Sequence, residues 1–443
     1  MKRMRTIPLF LGLTLLLVAS TAVALEIEDV QKAILAEGAD WTAGETAVSG
    51  LSPEQAASLC NLAVIFPEEA APYLYTPESG KDMPPHLDWS DIDGKNFMTP
   101  VKDQHPCGTC ATFSSVGAFE ALFKVAMDNP FIIPDFSEQQ VYSCAGFFPY
   151  TFFHPLGVLK DEGASDETCF PYDCDAPGDR PPCEDRCEDW FNRSYKIDNY
   201  NMMMFPNPEQ MKAALQAGPI VSGFQAYEDF QYYTGGVYEH VTGGLLGGHG
   251  VIVAGYDDAG QYWICKNSWG TEWGEDGWFK IKWGDGLLSF GYQSFSIDVS
   301  QNTLCGEDLP PMISDLALLN ESTELLEGEA LLIGFAYDDI DADLAGGELW
   351  YVIDQLPEAR YAAPLTQLTG TSGISSEKEV LAIPGPFGPG EHTIVVYVKD
   401  LCGLSSNELV AVFQVEGEVP DDDDDSGDDD SSDDDDDDNG FCG

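Results

Sequence analysis

Cys110 stands in the run Pro100-Val101-Lys102-Asp103-Gln104-His105-Pro106-Cys107-Gly108-Thr109-Cys110, with the amide of Gln104 six residues before it. A cysteine attacks as its thiolate, and a helix N-terminus stabilises that anion. Apolar residues recur at Phe113, Val116, Phe119, Leu122, Phe123 and Ala126. This predicts a buried helix from Cys110 to Asp128, stopped by Asn129-Pro130. The base must come from elsewhere, because a residue in the same turn could not also serve the leaving group. Of six histidines, His249 fits best: it lies in Gly247-Gly248-His249-Gly250, directly before an apolar strand. Asn267 follows one strand later, so a hairpin would bring its amide oxygen beside the imidazole and orient it. Gln104 and the Cys110 backbone N–H would donate to a developing oxyanion. Singly, each residue has a plain reading: a small buried thiol, a core histidine, a turn asparagine, a surface glutamine. Their order and neighbours outweigh it.

These residues need a scaffold with two walls. After the Cys110 helix, Ser137 caps a second helix at Glu138-Gln139-Gln140. Residues 165–190 are loop-like and hold Cys169, Cys174, Cys183 and Cys187. Strands are then predicted at Val251–Tyr256, Gln261–Lys266, Gly277–Lys282 and Ser294–Val299, divided by glycine-rich turns as in an antiparallel sheet. A helical half followed by a strand half implies an α+β domain over residues 85–303, with Cys110 on one wall of a cleft and His249 on the other.

The flanks have other characters. At 443 residues the chain exceeds one ordinary domain. Lys2, Arg3 and Arg5, the 13-residue apolar run Ile7–Ala19 and Ala22-Val23-Ala24 read as a secretory signal peptide, residues 1–24. That run is shorter than the roughly 20 residues a spanning helix needs. Residues 25–84 read as a pro-segment. Ile27, Val30 and Ile34 share a helical face ended by Gly38, and Ser52-Pro53-Glu54-Gln55 makes a capping box. Pro67 to Pro85 reads as an exposed linker. Residues 304–417 show short strands and turns, an all-β sandwich of immunoglobulin-like size that Cys305 and Cys402 could close. Asp339, Asp341 and Asp343 alternate like the start of a calcium loop, but the glycine and distal glutamate are missing, and a solvated acidic turn is the favoured reading. Residues 418–443 form an Asp-rich disordered tail that could present Cys442 for attachment to an envelope.

The net charge is −57, from 20 basic and 77 acidic residues, which excludes a nucleic-acid partner. Export gives the 12 cysteines a meaning: most are paired, and if Cys110 stays free at least one more is left over.

With these residues in view, the chain resembles the papain-like cysteine proteases. Asp88-Trp89, Pro100 to Gln104, Cys107-Gly108-Thr109-Cys110, Phe113-Ser114 and Ser137 to Gln140 look like the family's left half. His249-Gly250-Val251, Gly255-Tyr256, Lys266-Asn267-Ser268-Trp269-Gly270, Trp273-Gly274 and Gly277 are similar to its right half. His249 and Asn267 follow Cys110 by 139 and 157 residues. The resemblance implies a two-lobed fold, helical on the left and antiparallel β on the right, followed by the sandwich. It implies a secreted thiol endopeptidase made as a precursor. Cys110 would be the nucleophile, His249 the base and acid, Asn267 the orienter, Gln104 the oxyanion donor and Trp269 a shield over the His–Asn bond. Polypeptides would be the substrates, and no cofactor or metal is called for. Departures are Ala111 after the nucleophile, Thr109 before it, and Cys144-Ala145-Gly146-Phe147 where the family carries Cys-Asn-Gly-Gly. The partner of Cys107 is therefore open, as is side-chain specificity.

Three other readings compete. A thioredoxin-like reading of Cys107-Gly108-Thr109-Cys110 needs a preceding strand and parallel βαβ units after it, but Pro100 to Pro106 is a poor strand and the later strands look antiparallel. A zinc site with Cys183 and Cys187 does not suit an exported chain. A surface-binding protein with an idle protease domain would suit the sandwich and tail, but not an intact Cys110, His249 and Asn267. The favoured partner of the C-terminal region is a cell-envelope or surface ligand, and the expected state is a monomer.

Overall fold

The computed structural model describes residues 25–65, 70–77, 83–146, 150–284, 289–305, 311–320, 324–326, 329–339, 344, 346–354, 360–365, 368, 372–378, 381–385 and 387–416. The expected signal peptide, the Asp-rich tail with Cys442, and Asp341 and Asp343 lie outside these residues.

The N-terminal part is built by its caps. Helix α1 (Ile27–Glu37) buries Val30 and Ile34 and ends on Gly38, whose φ of 69° is the left-handed value glycine accepts freely. Strand β1 (Trp41–Ala43) follows, then helix α2 (Pro53–Leu59). In α2 the Ser52 side chain accepts from Gln55 N–H while Gln55 accepts from Ser52 N–H, a closed capping box. The stretch expected as a loose linker is docked where it is described. Tyr73 stacks on Tyr200 at 5.2 Å, and Tyr75 N–H donates to Met202 at 2.8 Å.

The main domain has the expected two halves. Strand β2 (His86–Asp88) precedes helices α3 (Cys110–Ala126), α4 (Glu138–Cys144) and α5 (Phe153–Asp161). Ser137 caps α4 by accepting from Gln140 N–H at 2.9 Å. Then come β3 (Asn199–Met204), α6 (Pro208–Leu215), β4 (Ile220–Tyr227), β5 (Tyr233–Tyr238), β6 (Leu245–Asp257), β7 (Tyr262–Lys266), β8 (Trp278–Lys282) and β9 (Gln293–Asp298). These strands form one sheet in the order β1-β5-β8-β7-β6-β4-β9-β3, with β2 also on β6. It departs from expectation twice. The β5–β8 pair is parallel, and β1 of the N-terminal segment adds an edge strand through Trp41↔Gly236. Both halves have cores: one gathers on α3 around Val116, Phe119 and Phe152, the other around Phe230, Tyr233, Trp273 and Phe279. The glycine-rich run before Val251 is not a turn. Strand β6 starts at Leu245, and His249 pairs with Phe224 inside it.

Helix α7 (Gln301–Cys305) leads to a sandwich. One sheet joins β10 (Met312–Leu318), β12 (Leu331–Asp338), β15 (Ser372–Ile374) and β16 (Leu381–Ile383). The other runs β11 (Glu324–Leu326), β18 (Leu409–Glu416), β17 (Gly390–Lys399), β13 (Glu348–Ile353), β14 (Arg360–Pro364). Alternating residues such as Leu349, Tyr351, Ile394 and Val396 face a core between the sheets. The sandwich is fastened to the main domain by Cys305–Cys402, and Leu401 shares a buried cluster with Ile132. The turn at Asp339 is not solvated: Asp339 is 1% exposed.

Candidate active site

Cys110 opens α3 and is 1% exposed. Thr109 precedes the helix but does not cap it, because its hydroxyl bonds Tyr172 Oη at 2.9 Å. Tyr172 Oη in turn donates to the Gln104 carbonyl at 3.0 Å. Cys107, whose partner the sequence left open, is bonded to Cys174. The other loop cysteines pair as Cys144–Cys183 and Cys169–Cys187, which removes the zinc reading. Cys60, Cys110 and Cys265 are free among the described residues.

His249 and Asn267 meet as the hairpin predicts. Strands β6 and β7 pair antiparallel through Ile252↔Lys266, which sets Asn267 at the end of β7 across from His249. The His249 Nε2 to Asn267 Oδ1 distance is 2.8 Å. An amide oxygen only accepts, so the ring carries its proton on Nε2 and turns Nδ1 to the cleft. Trp269 lies over the ring with centroids 4.8 Å apart, and Trp269 and His249 are both buried. Burial pushes the imidazole pKa down to about 4 against the pull of Asn267.

Gln104 is fully buried and ties the two halves together. Its Oε1 accepts from Ser268 Oγ at 2.6 Å and its N–H donates to Ser268 O at 2.9 Å. Its Nε2 donates to Cys107 O at 2.9 Å and to Leu59 O at 3.1 Å.

That last bond reveals what sequence reasoning missed. The chain leaving α2 runs through the cleft. Leu59 carbonyl sits on Gln104 Nε2 and also faces the His249 ring, where it pulls the imidazole pKa up against burial. Asn61 N–H points at the Cys110 thiol, as do the N–H groups of Gly250 and Ala111. Leu62 N–H donates to Gly248 O at 2.8 Å, Ala63 N–H to Tyr150 O at 2.7 Å, and Gln293 Nε2 to Ala63 O at 3.1 Å. The Leu62 side chain fills a recess at Gly223, Tyr292 and Gln293. Glycine at 247 and 248 has its reason here: a Cβ at either position would come within 2.2 Å of Cys60 O or Leu62 O. Cys60 is buried, and its thiol pKa is pushed well up by that burial and then by neighbouring Cys110. The Cys110 thiol is pushed up as well, chiefly by burial. Only the doubled glycines before His249 hinted at so close a main-chain approach.

A charged cluster lies beneath the site. Lys102 Nζ is 2.9 Å from Glu120 Oε1, 2.9 Å from Glu138 Oε1 and 2.7 Å from Asp135 Oδ1. Lys266, next to Asn267, donates to Thr99 Oγ1 at 3.1 Å, and Thr99 donates to Glu120 Oε2 at 2.6 Å. Burial lowers the Lys266 pKa to about 8.

The groove floor is also distinct from the expected Cys-Asn-Gly-Gly. Cys144 is tied to Cys183, and Arg180 donates to Ser143 O at 2.9 Å and to Gly146 O, while residues 147–149 lie outside those described.

Three kinds of comparison agree. The "Papain family cysteine protease" profile matches residues 83–295. Cathepsin B-like CP3 of Giardia intestinalis is 33% identical over 263 residues, covering 54% of this chain and 83% of that relative. The probable cysteine protease RD21C of Arabidopsis thaliana is 32% identical over 228 residues, or 49% of this chain and 47% of its own. Among solved structures, procathepsin B S9 of Trypanosoma congolense superposes with a TM-score of 0.53 at 22% identity, over 61% of this chain and 97% of its own. A digestive procathepsin L2 proteinase from Tenebrio molitor larval midgut gives 0.51 at 26% identity, over 62% and 89%. Both of these solved neighbours are procathepsins.

Proposed function

The chain belongs to the papain family of cysteine proteases, and on that premise we propose that Cys110, His249, Asn267 and Gln104 carry its peptide-bond cleavage. In this reading His249 Nδ1 takes the Cys110 proton, and the thiolate attacks the scissile carbonyl carbon. Negative charge develops on the carbonyl oxygen, which receives hydrogen bonds from Gln104 Nε2 and Cys110 N–H. His249 then returns its proton to the leaving amine, and a thioester remains. Water, deprotonated by His249, releases the acid and the free thiol. Asn267 holds the ring through Nε2, and Trp269 keeps water from that bond. The observation that carries the reading is the Leu59 carbonyl resting on Gln104 Nε2 with Asn61 N–H at the thiol: a main chain already lies where a substrate chain would.

Residues 25–84 act in this proposal as an inhibitory pro-segment, residues 85–303 as the enzyme and residues 304–417 as a sandwich that binds a cell-envelope or surface ligand. Residues 1–24 direct secretion, the Asp-rich tail is a spacer, and the enzyme works as a monomer on polypeptides. Among the described residues no helix is long and apolar enough to cross a membrane.

The test uses the processed enzyme and an epoxide thiol-protease inactivator. Cys110 is the residue labelled, and Cys110→Ser loses casein cleavage. Labelling of another cysteine, or casein turnover by Cys110→Ser at the parental rate, would overturn the assignment.

A further inference from the structure

Three thiols are free among the described residues, and two of them belong to the covered cleft. Four disulfides close elsewhere, so the chain suits a compartment where thiols are oxidised. Cys265 has a structural account: it pairs with Val253 and Phe279 inside the sheet and fills the core of the strand half. Cys60 has no part in the mechanism. It is buried in the pro-segment, and its backbone passes Gly247, two residues before His249. A Cβ added to Gly247 would meet Cys60 O at 2.2 Å and Cys60 Cβ at 3.5 Å.

The residues on both sides of Cys60 rest on the stretch that ends in Cys110. Ser58 Oγ donates to Pro106 O at 3.4 Å. A Cβ added to Gly108 would meet Ser58 O at 2.5 Å and Asn61 Cβ at 2.8 Å. Leu59 O accepts from Gln104 Nε2 at 3.1 Å. Asn61 N–H points at the Cys110 sulfur, and that nitrogen is bonded to the carbonyl carbon of Cys60. Cys60 Cα is therefore about 2.4 Å from the Asn61 nitrogen and, across one hydrogen bond to sulfur, within about 6 Å of the Cys110 sulfur. Bridged cysteines hold their Cα atoms about 4.4–6.8 Å apart. The two thiols also sense each other: burial first, and Cys110 after it, raise the Cys60 pKa.

We propose that Cys60 and Cys110 form a disulfide in the oxidised precursor, a latch that ties the pro-segment to the nucleophile until a thiol reduces it. The latch rests on the reading of Cys110 as nucleophile and of residues 25–84 as pro-segment. The oxidant is a small disulfide, R–S–S–R, such as oxidised glutathione. With the cover lifted, the Cys110 thiolate attacks one sulfur of that disulfide, giving Cys110–S–S–R and one RS⁻. The Cys60 thiolate then attacks the Cys110 sulfur, the protein disulfide forms, and the second RS⁻ leaves. Two protein thiols are oxidised, one R–S–S–R is reduced to two RSH, and the protons released from Cys60 and Cys110 end on RSH. A latched Cys110 has no thiolate with which to attack a carbonyl. A pro-segment cut in its linker also stays attached, so that cut by itself releases no active enzyme, and reduction is the step that does.

The experiment takes the full precursor in reduced form, incubates it with oxidised glutathione, quenches with acid and maps the cysteines by mass spectrometry without reduction. The expected product is a pair of peptides joined through Cys60 and Cys110. That protein carries no glutathionyl group on Cys110, an epoxide inactivator no longer labels it, and dithiothreitol restores the labelling. In Cys60→Ser, where the second attack is impossible, Cys110 keeps a glutathionyl group instead. Cys60→Ala repeats the comparison should Cys60→Ser fail to fold, and the linkage map of the parent needs neither variant. A parent that keeps glutathione on Cys110 as fully as Cys60→Ser does, or that joins Cys60 to another cysteine, overturns the latch. The processed, reduced enzyme, treated with the epoxide in parallel, separates the two readings. No label on Cys110 there overturns the nucleophile assignment and the latch with it. A label there, with no Cys60–Cys110 link in the oxidised precursor, overturns the latch alone.

Discussion

Of the ionisable side chains that helix α3 buries, Cys110 in its first turn and Glu120 ten residues on have surroundings opposite in kind. Glu120 is answered by groups of its own domain: Lys102, Thr99 and the Phe136 N–H all meet its carboxylate. Cys110 and its neighbour His249 are covered instead by residues 59–62, from a segment that meets the sheet at the edge strand β1 and at the Leu74–Met202 bridge to β3. The first arrangement is permanent because its parts cannot leave without unfolding the domain. The second keeps both groups uncharged by burial, and removing the segment would return them to water. The difference separates a charge that serves structure from the two groups to which the proposed mechanism assigns the chemistry.

The largest effect should come from breaking the permanent arrangement. Lys102→Met leaves Glu120 and Glu138 buried without their cation, a loss of about 3–5 kcal/mol. Burial opposes the charge on Lys102, yet three carboxylates hold its pKa well above the usual lysine value, so it is charged at any working pH. Urea unfolding of the Cys110→Ser precursor measures the loss. A cost under about 1 kcal/mol would mean that the cluster is a surface network and not a structural one.

The removable arrangement should respond to acid. With the ordinary imidazole value of 6.5 as the uncovered reference, covering lowers His249 to about 4. Between these values the uncovered state binds a proton that the covered state refuses. The segment's hold is therefore complete above pH 6.5, weakens as pH falls, and reaches its full loss, about 3 kcal/mol, near pH 4. Limited proteolysis of residues 59–63 in the Cys110→Ser precursor follows this, with cutting that rises from pH 7 to 4. His249→Gln, which has no proton to take, flattens the profile. An unchanged profile would place the acid response in other groups.

The same contrast explains what could be read in advance. Cys110, His249 and Asn267 were legible because each is fixed by local context, a helix start or a hairpin, and because β6 and β7 are neighbours in sequence. Ser52, Ser137 and Gly38 were legible as caps for the same reason. The cover over the cleft was not, since Leu59 and Gln104 are 45 residues apart and meet through main-chain atoms that any sequence offers. The Cys107–Cys174 pair was hidden among four loop cysteines of equal claim. Asp339 was misjudged because aspartates flank it in sequence, while the fold leaves it 1% exposed with its carboxylate accepting from the Leu344 N–H. His249 was read as standing directly before a strand, whereas it lies inside β6 and its glycines admit a passing backbone.

The smallest effect tests how finely the cover is positioned. Helix α2 ends at Leu59, so its length and start decide where that carbonyl arrives on Gln104. Ser52 fixes the start through the capping box. Ser52→Ala removes one half of the box and costs about 1 kcal/mol of helix stability. If residues 59–62 expose Cys110 only when this segment opens, the opening equilibrium shifts by the same amount, roughly five-fold. The rate at which an epoxide inactivator labels Cys110 in the full precursor reads that equilibrium directly, and it should rise about five-fold in Ser52→Ala. Ser52→Asp, which still caps, should label at nearly the parental rate. Equal rates in all three proteins would mean that the cleft bonds of Leu62 and Ala63 hold the cover without help from α2.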